Sequence, residues 1–228
     1  MPGPSEPAGW YGKLPALGDF SGRRLPTEFV SRCDAWLSQG IQTSRAQLGE
    51  RWLHTYLTAP IWRFAWSPGM AGSSWWVGVM MPSVDNVGRY FPLVVAQPCA
   101  HAPLHDGPHN ALDAWLDHIG QACMSTLQPG TSVDAFESQL AAAPHWDAGQ
   151  PDVGPTLRRL LGRDRYDAHQ SVALGPWLRG LARQSLLNNL QGHSLWWLAQ
   201  GTHGGSSMSV GPGLPSADQF VELLQGSW

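Results

Sequence analysis

The residues best suited to chemistry lie in a short polar loop, Pro82-Ser83-Val84-Asp85-Asn86-Val87-Gly88-Arg89, set between two apolar runs. Asp85 and Arg89 place a carboxylate and a guanidinium four residues apart, with the Ser83 hydroxyl nearby. Such a pair either presents charge to a protein partner or ties down its own loop, Asp85 then accepting backbone N–H groups. A second polar turn, Gly18-Asp19-Phe20 followed by Arg23 and Arg24, allows the same two readings: a docking charge group, or a capped turn leading into a helix. His101, His105, Asp106 and His109 raise the question of a metal or an enzyme site. Their spacing lacks the i, i+4 helical geometry of a metalloprotease motif and no cysteine pair accompanies them, so a polar loop is the plainer reading. Cys33, Cys99 and Cys123 are odd in number and widely spaced; Cys33 and Cys123 fall on apolar helix faces, where a thiol usually packs rather than reacts. The chain has no G-x-S-x-G elbow, no phosphate loop and no dinucleotide-binding glycine motif. Gly201-Thr202-His203-Gly204-Gly205 reads as a hairpin turn more simply than as an anion cradle. No catalytic residue, metal site or cofactor is expected.

The elements that must hold the loop are legible beside it. The runs 75–81 and 90–96 are each one strand long and nearly continuous in hydrophobicity, as in strands covered on both faces. Pro82 ends the first run by removing a ladder donor, and Asp85, Asn86 and Gly88 supply turn chemistry. Further strands are predicted at 10–14, 61–66, 194–199 and 206–210. Apolar spacing predicts helices from Pro26 to near Gly40, over 50–58, over 111–127, after a Thr131-Ser132 cap, over 176–190 and over 215–224, with one or two helical turns at 156–162. Residues 144–155 read as a long loop or insertion. Arg63, inside the aromatic run Ile61–Trp66, must reach water or a carboxylate, and Asp85 and Asp19 are both candidates. Runs of strands flanked by helices predict an α+β single domain with a mainly antiparallel sheet of five or six strands. Residues 1–8 are expected to be disordered, with 9–228 forming the domain.

Composition narrows the function. An apolar content of 43% is ample for a core, and 13 tryptophans with only 14% charged residues mean that indoles fill it or line a binding surface. The net charge of −3 and the absence of a basic run argue against a nucleic-acid footprint; Lys13 is the only lysine. Met1 to Trp10 lacks the basic start and apolar stretch of a signal peptide, and no run of 18 uncharged apolar residues suggests a membrane span. With thiols that fit a reduced state, a cytosolic location is expected.

In order along the chain, Gly9-Trp10-Tyr11-Gly12-Lys13-Leu14-Pro15, Gly18-Asp19-Phe20 and Arg24-Leu25-Pro26 resemble the opening of the TagF (ImpM) family, proteins associated with bacterial type VI secretion. Trp75 through Asp85, then Val87-Gly88-Arg89-Tyr90-Phe91-Pro92-Leu93, is similar to that family's most distinctive segment; Ser194-Leu195-Trp196-Trp197, Gly213-Leu214-Pro215 and Gly226-Ser227-Trp228 also match. Residues 99–190 carry little of the pattern. The resemblance implies a cytosolic accessory protein that restrains assembly or firing of the secretion machine after translation, acting with the system's forkhead-associated scaffold protein. It further implies the stand-alone form, since some members are fused to a protein phosphatase domain for which this chain has no room. On this reading the protein-binding residues are Asp85, Arg89, Ser83, Asp19, Arg23 and Arg24.

Overall fold

Apolar residues at successive positions along the central strands, pointing alternately to the two faces, build one sheet with a core on each face. The structure, a computed structural model, describes residues 6–99, 101–103, 111–146, 156–160, 163–167, 174–198 and 207–228. In chain order the elements are β1 (Gly9–Gly12), β2 (Ser21–Arg23), α1 (Thr27–Leu48), α2 (Trp52–Leu57), β3 (Trp62–Trp66), β4 (Trp75–Met81), β5 (Leu93–Cys99), α3 (Ala111–Ser125), α4 (Val133–Ala141), β6 (Thr156–Leu160), β7 (Arg163–Asp167), α5 (Leu174–Leu190), β8 (His193–Leu198), β9 (Met208–Pro212) and α6 (Phe220–Gln225). Seven strands pair in the order β2-β1-β5-β4-β3-β8-β9, every neighbour antiparallel, while β6 and β7 form a separate hairpin. The α+β single-domain expectation holds, with one strand more in the sheet than the upper bound.

All seven residues of β4 are buried, which explains its unbroken hydrophobicity. Trp75, Val77, Val79 and Met81 join Trp115, Leu116 and Ile119 of α3 and Phe136 of α4 in one core. Trp76 and Met80 face the other way, into a core with Phe29, Cys33 and Leu37 of α1 and Phe220 of α6. The predicted Ser132 cap is present: its Oγ accepts the Ala135 N–H at 3.1 Å. Gly78, in mid-strand, permits the close approach of β5, because a Cβ there would sit 2.1 Å from the Val95 carbonyl oxygen. Gly78→Ala is therefore expected to cost at least about 1–3 kcal/mol in urea unfolding, and wild-type stability in that variant would contradict the sheet spacing.

Several expectations are corrected. α1 runs to Leu48 instead of stopping near Gly40, because Gly40 is a contact and not a terminus: a Cβ there would lie 2.6 Å from the Phe220 ring. β5 starts at Leu93, since Tyr90 forms an isolated bridge with Val84 and Pro92 has no N–H to give a ladder. Ser21–Arg23 is a strand where a loop was expected. The segment beginning at Thr156 is the first arm of a hairpin, not helical turns. α6 covers only the end of the 215–224 prediction, and α5 begins two residues early. Arg63 pairs with neither Asp85 nor Asp19. It lies in β3 on the face packed by α3 and reaches Asp113 at 3.0 Å and also Asp117, one helical turn on. The 201–205 turn, His105, His109, residues 1–5 and most of the 144–155 loop lie outside the described residues. No described helix is long and apolar enough to cross a membrane.

Candidate functional site

β1 ends at Gly12 and delivers Lys13; β4 ends at Met81 and delivers Ser83 and Asp85 to the same sheet end. There the two loops are stitched together. Lys13 Nζ lies 2.5 Å from Asp85 Oδ2, Ser83 Oγ donates to the Lys13 carbonyl at 2.7 Å, and the Asn86 N–H donates to the Leu17 carbonyl at 3.0 Å. An Arg89 η nitrogen completes the seam by donating to the Gly18 carbonyl. The 82–92 loop also closes on itself. The Asp85 N–H bonds the Arg89 carbonyl, the Phe91 N–H bonds the Ser83 carbonyl, and Gly88 takes the left-handed conformation (φ 84°) that the turn requires. Below it, the Tyr56 hydroxyl both donates to the Ser83 carbonyl (2.9 Å) and accepts its N–H (3.0 Å).

Asp85 is the centre of this junction, with no solvent-exposed side-chain surface. It accepts from Lys13, from the Val87 and Arg89 N–H groups at 3.1 and 2.8 Å, and from Arg89 Nε at 2.7 Å. Burial alone would raise its pKa. The bonds from Lys13, Arg89 and Val87 outweigh burial and hold the carboxyl well below the usual carboxylate range. Asp85 thus stays ionised and fully occupied, and has no lone pair free for an incoming partner.

What faces solvent is the rim around that junction. Phe20 is 44% exposed and Val87 66%, and the side chains of Asp19 and Arg89 are 82% and 55% exposed. Phe20 is nonetheless held: its ring stacks on Tyr11 at 6.0 Å, meets Phe91 edge-on at 4.7 Å and covers the Lys13 ammonium at 4.6 Å. A half-exposed aromatic fixed on three sides is a preorganised anchor, the kind of side chain that dominates protein interfaces.

Of the residues singled out from sequence, Ser83, Asp85, Arg89 and Asp19 come together; Asp19 lies 4.0 Å from the Arg89 guanidinium. Arg23 and Arg24 turn away from Asp19 to Glu137 of α4, at 3.6 and 2.7 Å, where the Trp10 indole also donates. Lys13, Tyr56 and Phe20 complete the arrangement and were not among the predicted site residues. Lys13 carried one available signal, as the sole lysine among 14 basic residues. The three cysteines are buried. Burial pushes the Cys99 thiol up to about 12 and raises Cys33 and Cys123 as well, which keeps all three as poor nucleophiles. Among the described residues no three His, Cys, Asp or Glu side chains gather as a metal would need.

The comparisons with known proteins bear on the same segments. No curated protein matches the chain. The family description "TagF N-terminal domain, Type VI secretion system-associated" matches residues 9–143, which include both stitched loops. The crystal structure of PA0076 from Pseudomonas aeruginosa PAO1 is similar over 96% of this chain and 94% of that one, at 37% identity and a TM-score of 0.74. The likeness therefore extends through α5, β8 and β9, beyond the segment the family description covers. The chain belongs to the TagF family of type VI secretion system-associated proteins.

Proposed function

We propose that this protein is a non-enzymatic cytosolic accessory factor that represses assembly or firing of the type VI secretion system after translation, by binding the system's forkhead-associated scaffold protein. Residues 9–228 act in this as one unit. The observation that supports the reading is the rim of Phe20, Val87, Asp19 and Arg89, held rigid over a buried Lys13–Asp85–Arg89 junction. An enzyme site would leave a titratable group unsatisfied at the surface of a cleft; the Asp85 carboxylate at the centre of this junction is instead saturated and buried. In this reading the ion pair shapes the docking surface and Phe20 and Val87 make the contact, flanked by one charge of each sign.

The test separates contact from scaffold. Replacing Asp85 and Arg89 together by alanine would strand Lys13 in the interior, so loss of function there would be ambiguous. Phe20→Ser with Val87→Ser leaves every hydrogen bond and ion pair of the junction in place. In a host deleted for the native gene, wild type is expected to restore repression of secretion and the serine pair to leave secretion unrestrained, with both proteins folded and equally abundant. Full repression by the serine pair would rule out this surface.

A further inference from the structure

The two edges of the seven-stranded sheet are built differently. β2 is 3 residues long and leads into Arg23 and Arg24, charge of the kind that discourages strand addition. β9, at the other edge, pairs only with β8 among the described residues. The ladder fixes which way its backbone points. The Ser67 N–H donates to the His193 carbonyl at 3.0 Å, so His193 turns its backbone to β3, and Ser194 and Trp196 turn theirs to β9. Their partners Gly211 and Ser209 therefore face inward, and the Gly213 N–H continues that series by donating to the Gly192 carbonyl at 2.8 Å. The N–H and C=O groups of Met208 and Val210 are left pointing off the sheet, with the C=O of Pro212, which has no N–H to lose there. The side chains of these same residues share one face. All are exposed, Met208 at 57% and Val210 at 50%. Residues 184–217, which hold β8 and β9, contain no Asp, Glu, Lys or Arg in a chain that is 14% charged.

An apolar edge without charge is a template for another strand. We infer that β9 pairs antiparallel with β9 of a second copy of this chain, about a two-fold axis at Val210. A two-fold contact sets the same surface against itself, so any charge near the axis would meet its like; this edge carries none. The register that overlaps the whole strand is also self-complementary. Val210 exchanges N–H···O bonds with Val210 of the second copy, and each Met208 N–H reaches the Pro212 carbonyl across the axis. On the exposed face valine meets valine and methionine meets proline. On the other face Ser209 meets Gly211, small against small. A charged peptide would find no opposite charge on this strand, whereas a second copy brings the same apolar row. The pairing uses none of the residues of the proposed docking rim. A contact this short belongs to the small, transient class of interfaces, so association is expected at roughly 10–300 µM.

Sedimentation velocity of the full chain from about 5 to 500 µM tests this. Wild type is expected to move from monomer to dimer as concentration rises. Val210→Lys and Val210→Glu each change one exposed side chain and set like charges against each other at the axis, so each should weaken the dimer at least about tenfold. An equal mixture of the two variants should regain it, because opposite charges then meet. That recovery guards against misfolding, since a protein that had lost the strand could not show it. Leu57→Lys places the same charge on another exposed apolar residue, on α2, and should change association by less than about twofold. A wild type that stays monomeric throughout, a dimer undiminished in Val210→Lys, no recovery in the mixture, or equal weakening by Leu57→Lys would each overturn the inference.

Discussion

Asp85→Ala is expected to lower the thermal unfolding midpoint by about ten degrees or more, the largest loss of any single charge deletion among the described residues. The substitution strands the Lys13 ammonium, whose side chain is only 4% exposed, and removes the acceptor of the Val87 and Arg89 N–H groups and of Arg89 Nε. Loss of one partner of a buried pair costs far more than the pair contributes net, because an uncompensated charge remains inside. Asp85→Asn keeps the shape and one acceptor oxygen, so its loss should be intermediate. The same pair of proteins reads out the titration. The folded state holds Asp85 below its ordinary value of 3.8, so the unfolded state takes up the proton first as pH falls. Its stabilisation is therefore fully present above that value and is lost as pH drops below it toward the lower folded-state value. The gap in midpoint between wild type and Asp85→Asn should be constant from neutral pH to about 5 and close below it. A gap that widens in acid would mean the carboxyl is not held ionised by its neighbours.

Trp66→Ala is expected to cost about 3–5 kcal/mol of unfolding free energy. Trp66 is fully buried and meets Phe29 at 4.8 Å, Phe64 at 4.9 Å, and Trp36 and Trp196 at 6.4 Å, so its removal opens a void at the centre of the aromatic core under α1. Trp66→Phe tells packing from polarity. The Trp66 indole N–H has no hydrogen-bond partner among the described residues, so phenylalanine loses volume but no bond, and the cost should stay under about 1.5 kcal/mol. Trp76 differs, since its indole donates to the Ala71 carbonyl at 2.9 Å. Trp76→Phe should therefore cost about 1–3 kcal/mol for the orphaned carbonyl in addition to the lost volume. Urea unfolding of the three variants in parallel checks the order; equal losses in both phenylalanine variants would contradict it.

Local signals made the central part of the site readable. Unbroken apolar runs on either side of Pro82 and Gly88 predicted the two strands and the turn, and the i, i+4 spacing of Asp85 and Arg89 singled out the pair while leaving open whether they met each other or a partner; they meet each other at 2.7 Å. What stayed hidden depends on register. Lys13 reaches Asp85 across 72 residues, and no pattern near either one records that contact. Arg63 finds Asp113 and Asp117 because β3 pairs with β4 in a register that turns odd residues toward α3, and a one-residue slip would send it to the other core. Ser21–Arg23 is too short to show alternation and is a strand only because Trp10 to Gly12 pairs with it. Gly40 carries the chemistry of a helix stop, yet tertiary packing against Phe220 overrides it.

The most direct test of the proposed docking surface is calorimetric titration of the proposed partner, the purified forkhead-associated scaffold protein, into this protein, wild type beside Phe20→Ser/Val87→Ser. Loss of a central aromatic anchor and its apolar neighbour is expected to weaken binding at least about thirtyfold, with the variant still cooperatively folded at the temperature of the titration though its unfolding midpoint falls as the Phe20 ring contacts are lost. Equal affinities for the two proteins, or no heat from the wild type, would contradict the account.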